Sequence, residues 1–250
     1  MKTHIVPDFC TPLTSKQIQK NSALAEEAAH LAPYAIMSNN VYTRGEYFIP
    51  LPEGWKEITE LRKELPTFGL ALAVFEKHEN TKLTEVVVAF RGTDGMKDWI
   101  QNLIPFRRIQ VAPASENFEQ ILRLYENQGP KVTTTGHSLG GGLALHMSFK
   151  YPNIDAIVFN SSPVTKAGLK IQEGSSRTTV WESGEFLQGV RNLISLVRSR
   201  WHPIRRIEFR FVHGWTIKQH GMELFALNII KLGATKSHQL KALTTSWSTR

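Results

Sequence analysis

The sequence predicts an α/β fold with a mainly parallel central sheet and helices on both faces. Three observations support this prediction. Strand-like and helix-like segments alternate along the chain, one strand segment is nearly continuous in apolar residues, and a glycine-flanked serine lies between a strand and a helix. Alternation of this kind is typical of parallel sheets, because consecutive parallel strands need a crossover connection that is usually a helix.

The composition is that of a globular protein. The chain has 250 residues, of which 41% are hydrophobic and 21% are charged. No repeat, low-complexity tract or linker divides it, so we expect one domain over residues 1–250. The only cysteine is Cys10, which excludes an internal disulfide and a cysteine-based metal site.

The first elements are a helix and two strands. The segment KQIQKNSALAEEAAHLA has apolar residues at helical spacing, with Ser15 as its expected cap, and we expect Pro33 to end or kink this helix. Strands are expected at residues 68–77 and 85–91, joined by a polar hairpin. The second, EVVVAFR, has the apolar run of a strand that is covered on both faces.

The remaining elements continue the alternation. The apolar pattern around residues 118–125 predicts a helix that Gly129-Pro130 ends. We expect a further helix at 139–150 and strands at the following positions: 131–135, 156–159, 178–181 and 207–212.

The segment GHSLGGG, residues 136–142, places Ser138 between a predicted strand and a predicted helix. A nucleophile on such a turn needs glycine on each side, because a side chain would clash with the neighbouring strand or helix. The helix N-terminus then favours negative charge that develops next to the serine. An ordinary flexible turn is the alternative.

Two motifs in the expected order resemble the class three lipases, a branch of the α/β-hydrolases that acts on acylglycerols and phospholipids. They are VVVAFRGTDGMKDWIQNL, residues 86–103, and GHSLGGGLA, which begins at residue 136. The similarity covers much of residues 85–152 and continues more weakly to the C-terminus. It implies an α/β-hydrolase fold and a serine nucleophile at Ser138.

The fold implies a triad in the chain order serine, acid, histidine. The family's acid usually occurs as N-x-x-D after the strand RTTVW, where this chain has Glu182-Ser183-Gly184-Glu185. The resemblance therefore favours Glu185 over Glu182, with glutamate in place of the usual aspartate. Asp155 is a poorer candidate, because it precedes its predicted strand and would lie at the opposite edge of the sheet.

The base is expected after the last strand and before the last helix. His220 opens the segment HGMELFALNIIKLG, which resembles the family's histidine followed by methionine and an apolar helix. We therefore expect His220 to be the base, ahead of His213 and His238. His137 belongs to the serine motif, but the neighbouring serine is the nucleophile that the resemblance implies.

Two backbone donors are expected to form the oxyanion hole. Leu139 supplies one N–H by its position after the serine. The resemblance assigns the other to Thr93, within Arg91-Gly92-Thr93, which matches the family's Arg-Gly-Ser/Thr.

The sequence thus predicts a serine ester hydrolase of the lipase or phospholipase type that requires no metal or organic cofactor. A thioesterase or acyltransferase with the same triad is one alternative. A non-catalytic interaction protein on a hydrolase scaffold is another, disfavoured because both the serine and the histidine are present.

The net charge of +8 favours an anionic partner, and arginines are frequent late in the chain. Nucleic acid is not expected, because no nucleic-acid-binding motif accompanies the charge. The charge favours phospholipid at a membrane surface as the substrate. Two segments are candidates for membrane contact. Residues 187–201 form a predicted helix with an apolar stripe and arginines, for which packing on the sheet is the alternative. Residues 96–106 correspond to the family's mobile lid.

The N-terminal segment MKTHIVPDFCTPL lacks the apolar core of a signal peptide, and synthesis in the cytoplasm is expected. The chain resembles antibacterial lipase toxins exported by contact-dependent secretion together with a neutralising, immunity-type partner protein. An ordinary intracellular lipase also fits the sequence.

Overall fold

The structure is a computed structural model. It describes residues 12–42, 48–91, 96–162, 174–183, 204–211 and 221–247, with only the backbone for 96–109 and 246–247.

The central element is a single sheet of eight strands within the described residues. Its order is β1-β3-β4-β5-β6-β7-β8, and β2 also pairs with β3. Strands β4 to β8 are parallel, whereas β1, β2 and β4 run antiparallel to β3. The strands are β1 (Trp55–Glu57), β2 (Lys63–Leu65), β3 (Leu70–Glu79), β4 (Lys82–Phe90), β5 (Lys131–His137), β6 (Ile154–Phe159), β7 (Arg177–Glu182) and β8 (Arg205–Phe209).

Helices pack on the sheet, and two of them connect successive parallel strands. In the described part of the chain they are α1 (Ser15–Asn21), α2 (Ala25–Asn40), α3 (Met96–Tyr125), α4 (Leu139–Lys150), α5 (Met222–Gly233) and α6 (His238–Trp247). Helix α3 joins β4 to β5, and α4 joins β5 to β6. This arrangement confirms the predicted α/β fold with a mainly parallel sheet.

The apolar run in β4 is buried on both faces of the sheet. Val86 and Val88 belong to the apolar cluster formed with helices α3 and α4. Val87 and Ala89 face the opposite way, into the cluster formed with α2 and α5. Helices therefore cover both faces at this strand, as the sequence predicted.

The single N-terminal helix that was predicted is observed as α1 and α2, with a short 3-10 helix at Ser22–Leu24 between them, and it differs from the prediction in two further ways. Its cap is Thr14, not Ser15: the Thr14 hydroxyl accepts from the Gln17 N–H, and the Gln17 side chain accepts from the Thr14 N–H. Pro33 was expected to end or kink the helix, and it does not end it, because α2 continues to Asn40 with Pro33 inside it. Nearly every residue of its second half is buried, and this packing outweighs the cost of proline.

The other predicted boundaries differ by a few residues. Strand β3 begins at Leu70 rather than 68, and β8 ends at Phe209 rather than 212. Residues 96–106 form the first part of α3. The predicted helix at 187–201 lies outside the described residues. None of the described helices is both long enough and apolar enough to cross a membrane.

Candidate active site

Ser138 lies on the sharp turn between β5 and α4, where the sequence placed it. Strand β5 ends at His137 and α4 begins at Leu139. The backbone of Ser138 has φ 55° and ψ −123°, a conformation that non-glycine residues rarely adopt. Such a conformation costs on the order of 1–3 kcal/mol and is concentrated at functional sites.

Two glycines allow strand, turn and helix to approach closely. A Cβ at Gly136 would lie 2.6 Å from the Gly140 carbonyl carbon and 2.7 Å from the Phe90 carbonyl oxygen. A Cβ at Gly141 would lie 2.8 Å from the Cβ of Ser161, next to β6. Glycine at these positions is therefore a packing requirement, as predicted for the turn and the helix behind it.

Gly136→Ala is expected to destabilise the protein by on the order of 3 kcal/mol, because the new methyl group meets backbone atoms that cannot move aside. Gly129→Ala is the control: a Cβ there has open space, but φ is 61°, so its expected cost is about 1 kcal/mol. Chemical denaturation of both variants measures the difference. Equal stability losses would contradict the crowding at Gly136.

Backbone hydrogen bonds attach the serine turn to β6 as well as to its own helix. The Ser138 N–H donates to the Phe159 carbonyl at 3.1 Å, and the Ser162 N–H donates to the Ser138 carbonyl at 2.9 Å. The Gly142 N–H donates to the same carbonyl at 3.1 Å. The strained conformation is thus held from two sides.

The environment of Ser138 suits a nucleophile. Its side chain makes no capping hydrogen bond to α4 in the described part of the chain, and the residue is 7% exposed. Leu139 is the first residue of α4, where backbone N–H groups lack intrahelical acceptors. No acidic residue lies in the first turn of α4, so the helix dipole is available to stabilise negative charge beside the serine.

Tyr42 supports the residue before the serine. Its hydroxyl lies 3.3 Å from the His137 carbonyl oxygen and 3.3 Å from the ring Nδ1 of His137. His137 is buried, in keeping with a packing role. No sequence pattern predicts this contact, because the two residues are far apart along the chain.

The acid candidates lie at or after the end of β7. Glu182 is the last residue of this strand and is 1% exposed. Its N–H donates to the Asn160 side-chain oxygen at 3.0 Å, and the Ser183 N–H donates to the Phe209 carbonyl at 2.8 Å. Glu185, the predicted acid, lies outside the described residues.

Asp155 is at the opposite edge of the sheet from Ser138, as predicted. It is the second residue of β6 rather than a residue before the strand. Its carboxylate lies 3.1 Å from the Lys131 ammonium and accepts from the Ser176 N–H at 2.6 Å. Because Lys131 begins β5 and Ser138 follows its end, Asp155 is too remote for the triad.

Of the three candidate bases, the structure describes only His238. It is exposed at the start of α6, and its neighbour Ser237 lines a cavity together with Lys131 at the edge opposite Ser138. His213, His220 and the oxyanion candidate Thr93 lie outside the described residues. The helix expected after His220 is observed as α5, which begins at Met222.

The first turn of α5 contains a further titratable group, Glu223. Burial raises the pKa of its carboxyl group above the usual value, and its Oε1 has no hydrogen-bond partner among the residues described. No three His, Cys, Asp or Glu side chains in the described ranges are grouped so as to hold a metal ion.

A mainly parallel sheet that carries a serine on a strained strand-to-helix turn defines an α/β-hydrolase. The family model of a Tle-like phospholipase domain matches residues 33–183, more than half of the chain. The chain therefore belongs to this phospholipase-like family, which places it among the hydrolases of lipid esters.

Solved structures show weaker similarity. The extracellular lipase LipA from Serratia marcescens is 17% identical with a TM-score of 0.42, and the match covers 66% of this chain but only 40% of that lipase. A mutant form of MDLA from Penicillium cyclopium is 14% identical with a TM-score of 0.46, covering 83% and 86% of the two chains. These values are too low to support any argument about function. A comparison with curated protein sequences gives no match.

Proposed function

We propose that this protein is a serine ester hydrolase that cleaves fatty acyl esters of membrane phospholipids. The observation that carries the proposal is the strained Ser138 turn in a chain of the phospholipase-like family. The proposed catalytic residues are Ser138 as nucleophile, His220 as base and Glu185 as the acid that orients the base, all within a single domain over residues 1–250. Leu139 and Thr93 are the proposed oxyanion donors.

The proposed reaction has two halves. In the first, the Ser138 hydroxyl oxygen attacks the acyl carbonyl carbon while His220 accepts the hydroxyl proton, and the carbonyl electrons form an oxyanion near the Leu139 and Thr93 N–H groups. The ester bond then breaks, and His220 returns the proton to the departing lyso-lipid alcohol. In the second half, water attacks the acyl-enzyme through the same base and releases the fatty acid.

Lipid products test the proposed substrate class. Phosphatidylglycerol vesicles, triglyceride emulsions and an acyl thioester are each incubated with the wild type and with Ser138→Ala. We expect the vesicles to yield fatty acid and lyso-phospholipid, because the net charge of +8 draws the protein to anionic headgroups. These products should form with the wild type and not with Ser138→Ala, which lacks the proposed nucleophile. Faster turnover of the thioester, or acyl transfer to an added alcohol, would favour the thioesterase or acyltransferase alternative.

Isosteric substitutions test the proposed acid. Glu185→Gln is expected to lower kcat on the order of 10⁴-fold, because the base loses the charge that stabilises its protonated form. Glu182→Gln is the control, and we expect it to retain most of the activity. Steady-state kinetics of both variants gives the answer. The reverse pattern would make Glu182, buried at the end of β7, the acid instead.

Charge reversals test membrane contact by residues 187–201. With Ser138→Ala as the catalytically inactive background, Arg198→Glu and Arg200→Glu are each expected to weaken binding to anionic vesicles by about 1 kcal/mol or more, an effect that added salt should mimic. Arg123→Glu is the control, because Arg123 is exposed in the last turn of α3 and belongs to neither candidate membrane segment.

Unchanged binding in both arginine variants would move the membrane contact to residues 96–106.

An antibacterial role with a neutralising partner protein stays a prediction from the resemblance.

A further inference from the structure

Asn160 lies between the serine turn and the end of the strand that leads to the proposed acid. It directly follows β6, is fully buried and has a φ of 41°. Its N–H donates to the Val180 carbonyl at 2.9 Å, and its side-chain oxygen accepts from the Glu182 N–H at 3.0 Å. Asn160 therefore holds the end of β7 through both its backbone and its side chain.

The same segment also holds the serine. Phe159, just before Asn160, accepts from the Ser138 N–H, and Ser162, two residues after it, donates to the Ser138 carbonyl. The short segment 159–162 thus bonds to the backbone of the nucleophile on one side and to the end of β7 on the other. Segment 159–162 therefore determines the distance between the serine turn and the end of β7.

The chemistry of the position selects asparagine. A left-handed φ is tolerated by glycine and asparagine, but only asparagine also supplies an acceptor for the Glu182 N–H. The orientation of the amide is fixed, because a backbone N–H can only donate, so the side-chain oxygen must face it. Aspartate would supply the acceptor but would add a negative charge beside Glu182, at the end of β7.

We infer that Asn160 is a positioning residue for catalysis: its side-chain oxygen fixes the end of β7, the strand that leads to the proposed acid, relative to Ser138. The inference rests on the proposed function but holds for either Glu182 or Glu185 as the acid. The Ser183 N–H bond to Phe209 anchors the turn to β8, and the Asn160 bond anchors it towards the serine. If the bond between the Glu182 N–H and the Asn160 side chain alone is lost, the strands of the sheet stay paired and only the end of β7 is released.

The expected consequence is loss of alignment between the acid and the base. A carboxylate close to an imidazole raises the pKa of the imidazole, and the base acts only when it is neutral. If the carboxylate moves away, the pKa of the base falls, and the acidic limb of the kcat–pH profile shifts to lower pH. A displacement of about 1 Å in an active site lowers turnover by as much as about 100-fold.

The test compares Asn160→Gly with two other variants. Asn160→Gly keeps the left-handed backbone but removes the acceptor. Asn160→Asp restores the acceptor. Asn80→Gly is the matched control, because Asn80 also has a left-handed φ of 58° but is exposed in the turn between β3 and β4. For each variant, kcat, KM and the pH profile are measured with phosphatidylglycerol vesicles as the substrate. The thermal unfolding temperature of the protein is measured separately.

We expect Asn160→Gly to fold and to lose on the order of 10- to 100-fold in kcat with little change in KM, its acidic limb shifted to lower pH. Asn160→Asp should recover most of the kcat, with the limb shifted to higher pH by its added charge. Asn80→Gly should match the wild type.

Three results would overturn the inference: wild-type kcat and pH profile in Asn160→Gly, equal kcat losses in the Gly and Asp variants, or failure of Asn160→Gly to fold. The last would show that the residue serves the fold rather than the spacing. A wild-type protein that releases no fatty acid would instead contradict the proposed function itself.

Discussion

Ser138→Ala is expected to abolish ester hydrolysis while the protein stays folded. Removal of a catalytic serine typically lowers kcat on the order of 10⁶-fold and leaves about 10³-fold of residual catalysis from binding and the oxyanion hole. The fold should persist, because the bonds that hold the turn are made by the backbone of Ser138 to residues 142, 159 and 162. Steady-state hydrolysis and thermal unfolding measure the two effects separately.

Ser22→Ala is the matched control for this substitution. Ser22 is exposed between α1 and α2, and its hydroxyl donates to the Gln19 carbonyl at 3.0 Å. It should retain full activity. If Ser138→Ala retains most of the wild-type rate, another residue is the nucleophile and the proposed triad is wrong.

His220→Ala is expected to have the second largest effect, a loss in kcat on the order of 10⁴-fold or more. Serine at its ordinary pKa is a poor nucleophile, and a neighbouring base must remove its proton during attack. His213→Ala and His238→Ala should be close to the wild type, the latter because His238 lies at the opposite edge of the sheet.

Measurement of kcat across a range of pH separates the three histidines. The wild type should show an acidic limb that reports protonation of the base, and this limb should be absent from the residual activity of His220→Ala. A large loss in His213→Ala, with His220→Ala near the wild-type rate, would reassign the base.

Local sequence patterns were sufficient for the features that depend on neighbouring residues. The apolar run at 86–90 predicted a strand buried on both faces, and β4 is such a strand. The glycines around Ser138 predicted a crowded strand-to-helix turn, because glycine there is required by atoms within a few residues along the chain and in the adjoining strand. Helix α4 matches its predicted bounds for the same reason.

Features that depend on tertiary contacts were not predictable in this way. Pro33 should end a helix by local propensity, yet α2 continues through it because its second half is buried under the sheet. The contact between Tyr42 and His137 joins residues 95 positions apart. The role inferred for Asn160 depends on a left-handed backbone and on a bond to the next strand, and the segment VFNSSP carries no sequence signal for either.

The most direct test of the account is covalent labelling with a fluorophosphonate, which reacts with activated serines, followed by mapping of the adduct by peptide mass spectrometry. We expect one adduct, on Ser138, in the wild type, none in Ser138→Ala, and much slower labelling in His220→Ala. Two results would contradict the claim that Ser138 is the nucleophile. One is an adduct on a different residue, and the other is an unlabelled Ser138 together with undiminished hydrolysis of phosphatidylglycerol by Ser138→Ala.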